Sequence, residues 1–115
     1  MNTFLIVGSA IILDLVTGVA KSVHGGTFKS SVMREGLWHK LSEVIALIVA
    51  YFVQYMLPNI GIPYSVPAVS VVTIYIVLME VGSCLENLGE INPQLKEPLS
   101  KIFAQLKGGD NNETK

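Results

Sequence analysis

The sequence predicts an all-α membrane protein with three transmembrane helices, on three observations. Half of the 115 residues are apolar and only 15% are charged, against roughly 25% charged in an ordinary soluble domain, and the mean hydropathy is +0.52. The charges gather in two stretches, Lys21 to Glu43 and Glu80 to Lys115, while Leu5 to Leu13 and Val44 to Met79 carry none. Three stretches, about 3–23, 41–60 and 62–82, approach the roughly 20 mostly apolar residues needed to cross a hydrocarbon layer about 30 Å thick. A soluble domain of this size would need more polar cover than these residues supply.

The first span holds one charge, Asp14, near the middle of the apolar run Phe4 to Ala20. A central aspartate costs about 2.5–3.5 kcal/mol on insertion scales, so it must face protein or water rather than lipid tails. Asp14, Thr17, Gly18 and Lys21 fall at i, i+3, i+4 and i+7, which is one helical face, and Gly8 and Ala10 add small surfaces where helices can approach. Two roles stay open for this stripe: a helix-assembly or pore-facing surface, or a protonated Asp14 hydrogen-bonded within one subunit. Only the amino terminus supplies positive charge ahead of the run, so a retained span is expected rather than a cleaved signal peptide.

After His24-Gly25-Gly26, Ser30 or Ser31 can cap a helix over about 30–40. Its apolar positions Val32, Met33, Leu37 and Leu41 recur at helical spacing. Lys29, Arg34 and Lys40 flank that stripe, and Trp38 suits the headgroup level. The expectation is a basic cytoplasmic interfacial helix running into span two. Within span two, Gln54, near Tyr51 and Tyr55, is the strong polar group, suited to a bond across helices worth about 0.6 kcal/mol. Pro58 closes the span by removing a donor and clashing with the preceding turn. The charge-free segment Pro58 to Pro63 then makes a tight helical hairpin, and Pro67 fits the first turn of span three.

Span three exits through Glu80, Ser83, Cys84, Glu86 and Asn87, of which Glu80, Ser83 and Asn87 share a face. Counting about 1.5 Å per residue from Tyr64 places Glu80 roughly 24 Å along, toward the cytoplasmic boundary. A functional role and an ordinary helix end both stay open there. Asn92 and Pro93 then read as a cap and first-turn proline for an amphipathic helix over about 93–107, with Leu95, Leu99, Ile102, Phe103 and Leu106 on one face and Gly108-Gly109 as its stop. Residues 1–109 form a single membrane domain on this reading, and 110–115 a disordered polar tail.

Lysine and arginine in short loops set orientation. The first connection carries Lys21, Lys29, Arg34 and Lys40, and the second carries none. The N-terminus is therefore expected outside and the C-terminus in the cytoplasm. No basic face points to nucleic acid, and the single cysteine, Cys84, excludes an intramolecular disulfide. His24 and His39 are expected to stand alone, with no carboxylate or cysteine at ligand spacing, and no nucleophile motif or phosphate loop appears. Neither catalysis nor a metal or cofactor is expected.

Asp14-Leu15-Val16-Thr17-Gly18 with Lys21, then Ser30-Ser31-Val32-Met33-Arg34-Glu35-Gly36-Leu37 with Lys40, resemble the start of bacteriophage holin family 4, the toxin-secretion and phage-lysis holins. Glu80 to Gly82 and Leu85-Glu86-Asn87-Leu88-Gly89, followed by a proline and a short amphipathic helix, resemble the same family's third-span exit. The likeness covers about residues 10–107, and the segment Gly89 to Pro93 is shorter than the family's longer linkers. The resemblance implies a small phage or prophage protein that accumulates in the host bacterial inner membrane as a homo-oligomer. It would open a timed lesion, collapsing the membrane potential and letting out a muralytic endolysin or a toxin, with an antiholin as a candidate partner. No catalytic residues come with it; Asp14, Thr17, Gly18, Lys21, Gly36, Lys40, Glu80, Glu86 and Asn87 carry over as motif positions only. The alternatives are an antiholin or anchor without pore activity, and a small proton-coupled multidrug transporter, which would normally need four spans.

Overall fold

The computed structural model describes residues 2–63 and 65–108. The expected disordered tail, 110–115, lies outside the described residues, as do Gly109 and Tyr64. The elements are α1 (Thr3–Gly25), α2 (Ser30–Tyr55), a 3-10 turn Leu57–Ile60, α3 (Ala68–Ile91), a 3-10 turn Pro93–Leu95 and α4 (Lys96–Leu106). No strand occurs among the described residues. The three long helices are each long and apolar enough to cross a membrane.

Helix α3 is the centre of the molecule, with α1, α2 and α4 each packed on it. The core is thin: Val7 from α1, Leu47 and Ala50 from α2, and Ala68, Val69 and Ile76 from α3. α1 and α2 touch where Phe4 stacks on Tyr51, with ring centroids 5.3 Å apart, and again where Asp14 meets Lys40. The two helices therefore run antiparallel. Most apolar side chains point outward: only 11%, 17% and 22% of the apolar windows of α1, α2 and α3 are buried. In water such exposure would forfeit about 25 cal/mol per Å²; in a bilayer it is the surface that lipid tails cover.

Local chemistry accounts for the helix ends. The Asn2 side chain accepts from the Phe4 amide at 2.7 Å, satisfying one of α1's free donors. Gly26 takes φ +67° at the end of α1, and the Thr27 amide returns to the Ser22 carbonyl at 2.8 Å, the glycine-dependent closure common at helix C-termini. Pro58 has no amide to donate to the Gln54 carbonyl, and its ring would clash there. Helix α2 accordingly ends at Tyr55, and Leu57–Ile60 tightens into a 3-10 turn. The Asn92 side chain accepts from the Gln94 amide at 3.2 Å, starting the turn that leads into α4.

Residues 30–40 run into 41–55 as one unbroken helix; nothing between Lys40 and Glu43 removes a donor or demands a positive φ. Two expected boundaries differ. Span two stops at Tyr55 instead of residue 60. Span three begins at Ala68 instead of 62 and continues to Ile91, because Pro63 and Pro67 both lack the amide that a helix interior requires. Pro67 stands at the N-cap of α3, one position before its first turn. Glu80 is therefore 12 residues into a helix of 24, about 18 Å from its start, and not at the helix exit.

Candidate functional site

The uninterrupted α2 places Lys40, Glu43, Leu47, Ala50 and Gln54 at i, i+3, i+7, i+10 and i+14, a single face turned toward α3. On α3 the same spacing aligns Val69, Ile76, Glu80, Ser83 and Asn87, and on α1 it aligns Val7, Ala10, Asp14 and Thr17. Apolar packing at one end of these faces gives way to charge at the other. Where the three faces converge, the Lys40 ammonium lies between two carboxylates, 2.7 Å from Asp14 Oδ2 and 2.7 Å from Glu80 Oε1. The side chains of Lys40, Asp14 and Glu80 are only 12%, 13% and 4% exposed.

Hydrogen bonds complete the cluster. Asn87 Nδ2 donates to Asp14 Oδ1 and to Thr17 Oγ1, each at 3.1 Å, and the Asn87 side chain is buried. Thr17 in turn donates to the Leu13 carbonyl at 2.9 Å, a back-bond within its own helix, and Cys84 Sγ lies 3.5 Å from its hydroxyl. Gly18 fits beside Asn87, whose amide would lie 3.6 Å from a Cβ at that position. Both oxygens of Asp14 are thus partnered, one by a cation and one by an amide, and all three long helices contribute to one polar knot.

The knot is the floor of an open cleft of about 1140 Å³ between α1, the first half of α2, the second half of α3, and α4. Ser83, Lys21 and Glu86 line it. Helix α4 forms one wall by laying the Phe103 ring against Gly82, where a Cβ would come within 2.7 Å of the ring.

The residues predicted from sequence separate into three groups. Asp14, Thr17, Gly18, Glu80 and Asn87 come together in the knot, and Ser83 lines the cleft above it. Lys21, on the same stripe of α1, is exposed at the cleft wall; Lys29, just before α2, and Arg34 and Trp38 on it are exposed too. Gln54 does bond across helices, but to backbone: its Oε1 accepts from the Val69 amide at 2.8 Å, capping α3 where Pro67 has no side-chain acceptor. Lys40 is the correction. It was expected at the cytoplasmic interface with the other basic residues, and instead it bridges Asp14 and Glu80, because the continuous α2 turns it inward on the Leu47 face.

Glu43 was missed. It is 8% exposed, and its Oε1 is fully buried without a hydrogen-bond partner among the described residues. The signal was its three- and four-residue spacing from Lys40 and Leu47, hidden because it closes a charged stretch. The expectation that no carboxylate stands at ligand spacing to His39 is also corrected. Glu43 lies one turn on, and ligand atoms of His39, Glu43 and Glu80 all lie within 4.8 Å of one another.

Among the described residues the cluster pairs no nucleophile with a base; its chemistry is that of buried ions whose partners lie on different helices. The sequence profile of the family described as "Bacteriophage holin family" matches residues 1–108. No curated protein and no solved structure matches the chain.

Proposed function

Because the chain belongs to the bacteriophage holin family, a family of membrane-lysis proteins rather than enzymes, we propose that it acts as a holin. It is a multi-pass protein of the bacterial inner membrane, and on this reading its copies oligomerise there and open lesions at a set time. Those lesions collapse the membrane potential and release an endolysin or a toxin from the cytoplasm.

The observation that carries this reading is Lys40 held between Asp14 and Glu80 inside helices long and apolar enough to cross a membrane. Removing ions from water costs several kcal/mol each, and their pairing repays this only with good geometry. The isolated chain meets that condition by tying α1, α2 and α3 into one knot. In a ring of copies around a wet lumen the same side chains regain water, so the polar faces favour the ring over lipid contact. A change in membrane potential adds a bias of about 2.3 kcal/mol per 100 mV for each elementary charge that crosses.

Expression of Asp14→Leu with a matched endolysin tests the reading. Lysis should shift in time and the lesions in size, and unchanged timing with unchanged lesions would sink the role given to Asp14. Expression of the chain without endolysin should halt respiration abruptly. Continued growth at full accumulation would instead identify an antiholin or anchor.

A further inference from the structure

We propose that His39, Glu43 and Glu80 form a binding site for a divalent transition metal that ties α2 to α3. The site stands on two independent observations. The first is geometric: one nitrogen ligand and two carboxylate oxygens, from two helices, lie within 4.8 Å of one another. Metal–ligand bonds of about 2.0–2.2 Å set tetrahedral ligand atoms about 3.4 Å apart, so a small inward rotation of the exposed His39 ring and the Glu43 carboxylate closes the shell. The second is the Oε1 of Glu43, fully buried without a hydrogen-bond partner among the described residues. A buried carboxylate oxygen without a partner is costly, and a cation at this point removes that cost.

Charge favours a divalent ion. Lys40 balances one of the two carboxylates it touches. Metal binding takes Glu43 in its deprotonated form; the group Asp14, Lys40, Glu43 and Glu80 then carries two net negative charges, which a divalent cation neutralises. Lys40 occupies Oε1 of Glu80, leaving the second oxygen of that carboxylate for the metal. His39 and Glu43 are four residues apart on α2, the helical spacing that aims two ligands at one ion. An imidazole with two carboxylates suits zinc, cobalt or manganese better than calcium, which takes oxygen ligands alone. Three protein ligands leave one position open for water. A second cleft of about 430 Å³, lined by His39, Ser42 and Glu43 on α2 and by Tyr75 and Met79 on α3, gives the ion a way in.

The full chain, purified in detergent micelles without a histidine tag, should take up one Co²⁺ per molecule. Visible absorbance would report the bound ion, Zn²⁺ should displace it, and Ca²⁺ should not. His39→Ala and Glu43→Gln should each weaken binding at least about tenfold, the scale that even outer-shell changes reach at metal sites, while His24→Ala leaves it unchanged. His39 is exposed, so His39→Ala keeps the fold, with circular dichroism as the check, and decides the matter if Glu43→Gln unfolds. No stoichiometric uptake by the wild-type chain overturns the proposal. So does uptake that survives His39→Ala, or that falls with His24→Ala instead.

Discussion

At Lys40 one ammonium faces two carboxylates at 2.7 Å each, so replacing the cation and replacing a carboxylate are not equivalent. Lys40→Met leaves Asp14 and Glu80 buried and like-charged, and removing one partner of a buried pair typically costs about 3–5 kcal/mol. Asp14→Asn keeps a polar atom near Lys40 and leaves a neutral Lys40–Glu80 pair, so its cost should be smaller. Unfolding of both variants in mixed micelles, followed by circular dichroism, would rank them. A Lys40→Met protein as stable as the wild type would remove the cation from the centre of the site. By contrast, the exposed pairs Lys96–Glu90 and Lys101–Glu97, each at 3.5 Å, are of the kind worth at most about 1 kcal/mol.

The helices depend on one another for their ends. Helix α3 begins after Pro67, which has no capping side chain, and borrows the Gln54 oxygen from α2 instead. Gln54→Ala should therefore loosen the first turn of α3 by about 0.5–2 kcal/mol, the range for losing a cap. Faster hydrogen exchange at the Val69 amide would show it, and Gln54→Glu, which keeps the acceptor, should restore protection. The α3–α4 contact is set by absence of a side chain at Gly82, over which the Phe103 ring lies. Gly82→Ala should push that ring aside and free α4, read as increased mobility of a spin label at Ser100. Adding Phe103→Ala should make the Gly82 substitution almost silent, and fully additive effects would refute the contact.

For the molecule as a whole, the antiparallel order of α1, α2 and α3 puts Asn2 and the Leu57–Ile60 turn at one end and the α1–α2 connection and α4 at the other. Lys21, Lys29 and Arg34, exposed at and beside that connection, lead us to propose under the positive-inside rule that its end faces the cytoplasm. In a Cys84→Ala background, Thr3→Cys should react with an impermeant maleimide from outside the cell, and Ser100→Cys only after the membrane is opened. The reverse pattern, or labelling of both from one side, would overturn the orientation. The knot sits at similar depth on α1 and α3. Asp14 is about 16 Å from the start of α1 and Glu80 about 18 Å from the start of α3, at 1.5 Å per residue. One substitution there is thus felt by the whole three-helix assembly.

The sequence by itself determined the membrane character, the number of long helices and the α1 stripe of Asp14, Thr17 and Gly18, because hydropathy and helical periodicity are local quantities. It also placed Asn92 and Pro93 at the turn before α4. Tertiary structure alone decided what Asp14 faces, since its cation lies 26 residues away in the chain and Glu80 lies 40 beyond Lys40. A charged residue looks the same in a sequence whether it points to water or to a partner. Taken as a surface helix followed by a span, with the join at residues 40 and 41, this part of the chain leaves Lys40 among the basic surface groups and Glu43 at the close of a charged stretch. Only the continuity of α2 through that point turns both residues inward, where α3 supplies the carboxylate that makes their burial affordable.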